Sequence, residues 1–166
     1  MPKSEQGAKT GRYHVVPRSL IFITRENQVL LLKGAPHKRL WANRYNGIGG
    51  HIERGEDVLS GARRELLEET GLSGVRLWLA GTVMIDAWEE AGIGIFIFKG
   101  EYSGGELQHS EEGSLEWIAV DQLIKYPLVE DLPVLLPRVL ALQPGDVPLA
   151  ALYDYDENDR LRIRFG

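Results

Sequence analysis

The feature that most limits what this chain can become is a helix written with both of its ends. Asp57 stands where an N-cap belongs, Val58, Ala62 and Leu66 recur every four residues, and Gly71 sits where a left-handed cap would stop the last turn. The pattern predicts a helix over residues 57–70. Three of its side chains, Glu65, Glu68 and Glu69, are spaced three and four apart and so share one face. That crowding resists folding: like charges at such spacing cost about 0.2–0.5 kcal/mol per pair, and acids in the last turn oppose the helix dipole by about 0.3–1 kcal/mol. Arg64 can pair with Glu68 and Arg63 can help, but residues 53–72 hold six acids against three arginines. Either solvent disperses the excess charge, as on most surface helices, or a divalent cation relieves it.

The residues ahead of the helix favour the cation. The stretch GGHIERGE, residues 49–56, is a glycine-rich loop whose backbone carbonyls can join the carboxylates. Oxygen ligands of this kind suit Mg²⁺, which binds through few carboxylates and keeps waters and substrate phosphates in its shell. Paired ions can activate water and stabilise charge on a phosphoryl oxygen. Rival motifs are missing. There is no GxxxxGK[ST] loop, and neither GIGGHI nor GIGIFI completes GxGxxG. His14, His37, His51 and His109 form no HExxH pair and read as surface or loop histidines. No serine sits in a GxSxG elbow, and cysteine is absent, which removes thiolate chemistry and disulfides. Asp154, Asp156 and Asn158 match the start of a calcium loop, but Asp159 and Phe165 stand where that loop needs Gly and Glu.

Around this centre the chain alternates strands and helices. Residues 13–24 and 29–33 read as a hairpin, 34–47 as a loop, 75–85 and 92–102 as apolar strands, and 115–120 as a further strand. Helical patterns fall at 121–125 and 130–142. Leu161, Ile163 and Phe165 alternate with Arg160, Arg162 and Arg164, which predicts a terminal β-hairpin with one buried face. Trp78 and Trp117 fall on strands, whereas Trp41 and Trp88 are candidate stacking platforms. This order implies an α/β domain whose mixed sheet is covered by helices on both faces. With 166 residues, 43% of them hydrophobic, we expect one domain over 13–166 behind a loose segment at 1–12. A net charge of −5 gives no general attraction to nucleic acid or anionic lipid, so neither a nucleic-acid scaffold nor a membrane is expected as partner. The expected setting is cytoplasmic, with monomer and homodimer both open.

Gly50, five residues, Glu56, seven residues, then Arg64-Glu65-Leu66-x-Glu68-Glu69-x-Gly71-Leu72 spells GX5EX7REUXEEXGU, with U aliphatic. On that motif the chain resembles the Nudix hydrolases. The resemblance implies an α/β/α sandwich around a mixed sheet and hydrolysis of a nucleoside diphosphate linked to another group, with Mg²⁺ or Mn²⁺ and water attacking phosphorus. It implies that Glu65, Glu68 and Glu69 hold metal with the Gly49 carbonyl, that Arg64 orients a box glutamate, and that Glu56 braces loop and helix. A further acid before a late strand would be Glu112, with Glu111 as fallback. The general base is left open among Glu65, Glu68 and Glu112.

Within the family, RYNGIGGHIERGE followed by ARRELLEETGL is similar to the MutT-like enzymes that hydrolyse oxidised purine nucleoside triphosphates such as 8-oxo-dGTP. The animal form of those enzymes reads its base with an asparagine and a Trp-Pro-Asp-Asp segment. Here the counterparts are Asn46, Glu130 and Asp131, but Leu128 stands where the stacking tryptophan would be. Lys38 and Arg44 are candidates to hold phosphates. Asn46 has a competing role as a turn asparagine beside Gly47, and Glu130 and Asp131 as acids that start a helix. The proline of ADP-ribose pyrophosphatases and the tyrosine of dinucleoside polyphosphate hydrolases, each about fifteen residues past the box, are both absent, and so is the catalytic cysteine of isopentenyl diphosphate isomerases. The implied reaction yields monophosphate and pyrophosphate from a nucleoside triphosphate. Alternatives are another nucleoside diphosphate derivative (ADP-ribose, a sugar nucleotide, a dinucleoside polyphosphate) or a nucleotide sensor without turnover.

Overall fold

The computed structural model describes residues 2, 5, 7, 11–108 and 110–166. Strand β1 (His14–Arg25) turns through Glu26 and Asn27 into the antiparallel β2 (Gln28–Gly34). Because alternate strand residues face opposite ways, Leu20 and Phe22 enter one hydrophobic cluster while Ile21 and Ile23 enter another. The two strands stay paired only from Ile23/Leu30 to Arg25/Gln28. On its far edge β1 pairs in parallel with β5 (Ala91–Glu101), from His14 to Thr24.

That early parting shapes the site. Strand β6 (Gly113–Ala119) occupies one edge of β2 along its whole length. The short β3 (Tyr45–Asn46), opposite Leu32 and Lys33, therefore takes the edge of β2 that β1 has left. Strand β4 (Leu77–Ile85) lies antiparallel to β5, β7 (Leu149–Tyr155) parallel to β4, and β8 (Leu161–Phe165) antiparallel to β7. Among the described residues the sheet order is β3-β2-β1-β5-β4-β7-β8, with β6 on β2.

Helix α1 (Val58–Thr70) covers one face, packing Ala62 and Leu66 with Ile21, Ile23, Leu30 and Phe98. Helix α2 (Leu132–Ala141) covers the other, where Leu132, Leu135, Leu136 and Val139 meet Leu20, Phe22, Leu31 and Ile97. Each such fully buried aliphatic side chain contributes about 1.5–3 kcal/mol. The result is the expected α/β/α sandwich around a mixed sheet. Lys99 on β5 ties α2 down: its Nζ donates to the carbonyls of Leu140 at 2.7 Å and Leu142 at 2.8 Å, at the helix's C-terminal end.

The ends of α1 are as its sequence predicts. Asp57 accepts from the amides of Leu59 at 2.9 Å and Ser60 at 3.0 Å, and Gly71, at φ +75°, donates to the Leu67 carbonyl at 2.8 Å. Three local expectations are corrected. The predicted loop 34–47 contains β3, because Tyr45 and Asn46 meet a free strand edge that no local signal announces. Residues Val120–Lys125 form a 3-10 segment rather than an α-helix. The second helix starts at Leu132, not 130, with Pro133 in its first turn, where a missing N–H costs nothing.

The terminal hairpin is present, with Leu161, Ile163 and Phe165 half-buried and Arg160, Arg162 and Arg164 exposed. Asp156, one of the acids in the rejected calcium pattern, caps the turn by accepting from the amides of Asn158 and Arg160. Trp78 and Trp117 are half-buried on β4 and β6. His14, His37 and His51 are exposed, while His109 and most of segment 1–12 lie outside the described residues. No helix among the described residues is long and apolar enough to cross a membrane.

Candidate active site

Where β1 parts from β2, the glycine-rich loop is laced onto β1. Ile21 and Ile48 exchange backbone hydrogen bonds at 2.7 and 3.1 Å, Ser19 donates to the Gly50 carbonyl at 2.9 Å, and Ile52 donates to the Pro17 carbonyl at 3.0 Å. One position in this loop requires glycine, and the next lies close against the helix. Gly49 has φ +141°, and a Cβ there would lie 2.3 Å from the Ser19 carbonyl oxygen. A Cβ on Gly50 would lie 2.7 Å from each carboxylate oxygen of Glu65. The backbone at 49–50 is thus pressed against β1 on one side and the acidic face of α1 on the other.

Arg64 organises that face. Its Nε donates to Glu56 Oε1 at 2.7 Å, one Nη to Glu65 at 2.8 Å and Glu68 at 3.0 Å, and the other Nη to the His51 carbonyl at 2.9 Å and Glu56 Oε2 at 3.1 Å. These carboxylates hold the guanidinium firmly protonated, Glu56 first. In return, Arg64 and then the Glu53 amide draw the Glu56 carboxyl below its usual range. Glu56 thereby joins loop to helix, the bracing role that the resemblance implies.

Glu69 is different. It is only 6% exposed and accepts from the Gly49 amide at 3.0 Å. Burial pushes its carboxyl up to about 7; the Gly49 N–H pulls against that, and the neighbouring Glu65 and Glu112 carboxylates add to the rise. Glu112 arrives from the turn before β6 and forms an ion pair with Lys38. A buried acid driven to keep its proton, next to two further acids, marks a spot short of positive charge.

Among the described residues, no three carboxylate or imidazole groups converge tightly enough to grip an ion as they stand. The charges explain why: Glu65 and Glu68 lean to Arg64, Glu69 to the Gly49 amide and Glu112 to Lys38. The donor set nevertheless fits a hard divalent cation. It is all oxygen, it includes a backbone fixed by glycine geometry, and a cation would favour the ionised form of the buried Glu69. Glu65, Glu68, Glu69, Glu112 and the Gly49 carbonyl are the groups that could hold it.

A cleft of about 90 Å³ gathers Gly49, Glu69 and Glu112 with Lys38, Arg44 and Asn46, and Trp41 also lines it. Asn46 spends its Oδ1 on the Gly47 amide at 2.8 Å, the turn role, which leaves its amide N–H groups as donors. Arg44 donates to the Leu128 carbonyl at 3.3 Å. Glu130 and Asp131 do not line this cleft. Glu130 is exposed, and Asp131 occupies the cap position of α2 without capping it, accepting instead from the Tyr153 hydroxyl at 3.2 Å. Leu128 is 8% exposed, built into the core beside Tyr45. Gly34 and Ser19, whose backbones bond to the cleft loop and to Gly50 respectively, carry no sequence signal beyond a lone glycine at a strand end.

A sheet that opens to seat a glycine loop, and a helix that aims glutamates at that loop, together make this site. The NUDIX domain family model matches residues 14–139, and the chain belongs to the Nudix family of hydrolases. It is 34% identical over 109 residues to the oxidized purine nucleoside triphosphate hydrolase of Mus musculus, covering 63% of this chain and 67% of that one. It is also 31% identical over 136 residues to the NAD-capped RNA hydrolase NudC of Pectobacterium carotovorum, covering 75% of this chain but only 50% of that longer protein. Among solved structures, a MutT protein from Bacillus halodurans superimposes with a TM-score of 0.76 at 25% identity, over 91% of this chain and 97% of that one.

Proposed function

We propose that this protein is a Mg²⁺-dependent hydrolase, also able to use Mn²⁺, that cleaves a nucleoside triphosphate to the monophosphate and pyrophosphate, with oxidised purines such as 8-oxo-dGTP preferred. One observation carries the reading: a single cleft unites the metal-side groups Gly49, Glu69 and Glu112 with Lys38, Arg44 and Asn46. Similarity to the mouse enzyme supports the choice of substrate. The proposal sets the protein in the cytoplasm, where it would cleanse the nucleotide pool.

Glu65, Glu68, Glu69, Glu112 and the Gly49 carbonyl would hold the cation, which when bound makes water more acidic and offsets charge on the phosphoryl oxygens. Arg64 keeps Glu65 and Glu68 in place between turnovers. Lys38 and Arg44 would exchange their present partners for phosphate oxygens. Asn46 would donate from its amide nitrogen to a purine acceptor. For a base that extends past the cleft, Asp131, whose carboxyl burial pushes above the usual range, would offer its proton to a purine carbonyl, with Glu130 beside it. The proton of the attacking water would pass to Glu65, Glu68 or Glu112, whichever comes within hydrogen-bond reach.

A second reading, a Nudix hydrolase of another nucleoside diphosphate derivative, is favoured by Leu128: a buried leucine offers no ring for the purine contact made at that place in the animal enzymes. A sensor without turnover is disfavoured by the intact set Glu65, Glu68 and Glu69. Phosphate and pyrophosphate release from a panel of nucleoside triphosphates, sugar nucleotides and dinucleotides, with and without Mg²⁺ and beside Glu69→Gln, decides among them. Metal-dependent pyrophosphate release from oxidised purine triphosphates, lost in Glu69→Gln, is the expected result. Turnover confined to sugar nucleotides or dinucleotides would establish the second reading, and tight binding without turnover the sensor.

A further inference from the structure

We infer that Trp41 is the surface on which the nucleobase of the substrate stacks; this rests on the nucleotide-hydrolase reading above. Trp41 lines the cleft that holds Glu69, Glu112 and Asn46 and leaves 47% of its surface in contact with solvent. Trp88, the other exposed tryptophan, lies outside that cleft, and Tyr45 is buried with its hydroxyl on Glu116. Leu128, where the resemblance would place an aromatic ring, is locked into the core. Position 41 therefore supplies the aromatic face that position 128 lacks.

The backbone holds this ring out at a cost. Trp41 has φ +58°, a left-handed conformation that a bulky residue rarely adopts. Asn43, two residues on, has φ +59°. The loop is pinned at its base: Gly34 donates to the Arg44 carbonyl at 3.0 Å, Asn43 to the Gly34 carbonyl at 2.9 Å, and Arg44 to the Trp41 carbonyl at 3.0 Å. The fit is so close that a Cβ on Gly34 would lie 2.5 Å from the Trp41 carbonyl oxygen. Strain that the surroundings enforce, at an exposed aromatic beside acidic side chains, is characteristic of a ligand clamp.

A flat indole face binds any base but overlaps more with a purine than with a pyrimidine. Trp41 would thus set affinity and purine preference without touching the bond that breaks. The test compares full-length Trp41→Ala, Trp41→Phe and Trp88→Phe. Trp41→Ala is expected to raise KM for a purine nucleoside triphosphate about tenfold to a hundredfold and to narrow its advantage over a pyrimidine, with kcat changed less than about twofold. Trp41→Phe should recover most of the lost affinity. Independently of turnover, GMP should quench indole fluorescence in the unmodified protein and in Trp88→Phe but not in Trp41→Phe, and ribose 5-phosphate should quench none of them.

A folded Trp41→Ala with unchanged KM, or GMP quenching that is absent or that survives Trp41→Phe, would overturn the assignment. If Trp41→Ala does not fold, the two phenylalanine variants still decide by fluorescence. If no triphosphate is turned over, the triphosphatase reading fails while GMP quenching still judges the stacking surface.

Discussion

Arg64 Nε lies 2.7 Å from Glu56 Oε1, and the same guanidinium reaches Glu65, Glu68 and the His51 carbonyl. A single cation thus spans three carboxylates and ties the glycine-rich loop to the helix that follows it. The contacts with Glu56, eight residues away, and with the His51 carbonyl are the ones by which this arginine holds the loop. The i,i+4 contact with Glu68, whose side chain is more than half exposed, adds little to stability on its own.

Replacing this fork by a point charge should loosen the assembly. Arg64→Lys keeps the charge but cannot span Glu56 and Glu65 together. Urea unfolding should show a loss of about 1.5–3 kcal/mol, the range for hydrogen bonds to charged groups. A midpoint within error of the parent protein would mean that the fork is not what fixes the loop.

Gly50→Ala separates activity from stability. The added Cβ meets only the mobile end of Glu65, 2.7 Å away, so that carboxylate must swing aside while the backbone stays. We expect Tm to fall by only a few degrees, the shift about 1 kcal/mol produces, but metal-dependent turnover to drop at least about tenfold. Full activity in the alanine variant would detach Glu65 from the reaction.

Asp131 should leave a mark on the pH dependence of folding. Burial raises its carboxyl above the ordinary 3.8, and the Tyr153 hydroxyl only partly offsets this. Because the folded form holds the proton more tightly than the unfolded chain, the contribution is fully present below pH 3.8 and is lost as pH rises through the raised folded value. Denaturation across that range should therefore show a downward slope that Asp131→Asn flattens. Equal slopes in the two proteins would contradict the placement of Asp131.

Lys99 predicts a defect far from the cleft. Lys99→Met removes both hydrogen bonds to the end of α2 and strands the carbonyls of Leu140 and Leu142, which should cost about 1–3 kcal/mol in chemical denaturation. KM and kcat should stay near their parent values at a temperature where the variant is folded. A large fall in kcat there would show that α2 reports to the site.

The box helix was legible because its signals are local. Asp57 caps within three residues, Gly71 stops the helix with a single φ, and an i,i+3,i+4 spacing places Glu65, Glu68 and Glu69 on one face in any α-helix. The paired alternation of β1, β2 and the terminal hairpin was legible for the same reason. Other features had no local signature. Strand β3 exists because β1 leaves β2 after three residue pairs, and the buried position of Glu69 depends on a loop twenty residues earlier. Asn46 carried both a turn signal and a recognition signal, and in the folded chain its oxygen serves the turn.

Sequence by itself therefore determined which groups are available: a capped helix, its crowded carboxylates, the arginine to balance them, and the glycines that let a backbone come close. Tertiary structure decided what those groups face. The parting of two strands brings Gly49, Lys38, Trp41 and Glu112 into one cleft with Glu69, and burial there, with the Glu65 and Glu112 carboxylates nearby, pushes the Glu69 carboxyl up to about 7. The physical reason is range: capping and helical spacing act over a few residues of chain, whereas desolvation and charge coupling act through space, between segments whose meeting no local pattern encodes.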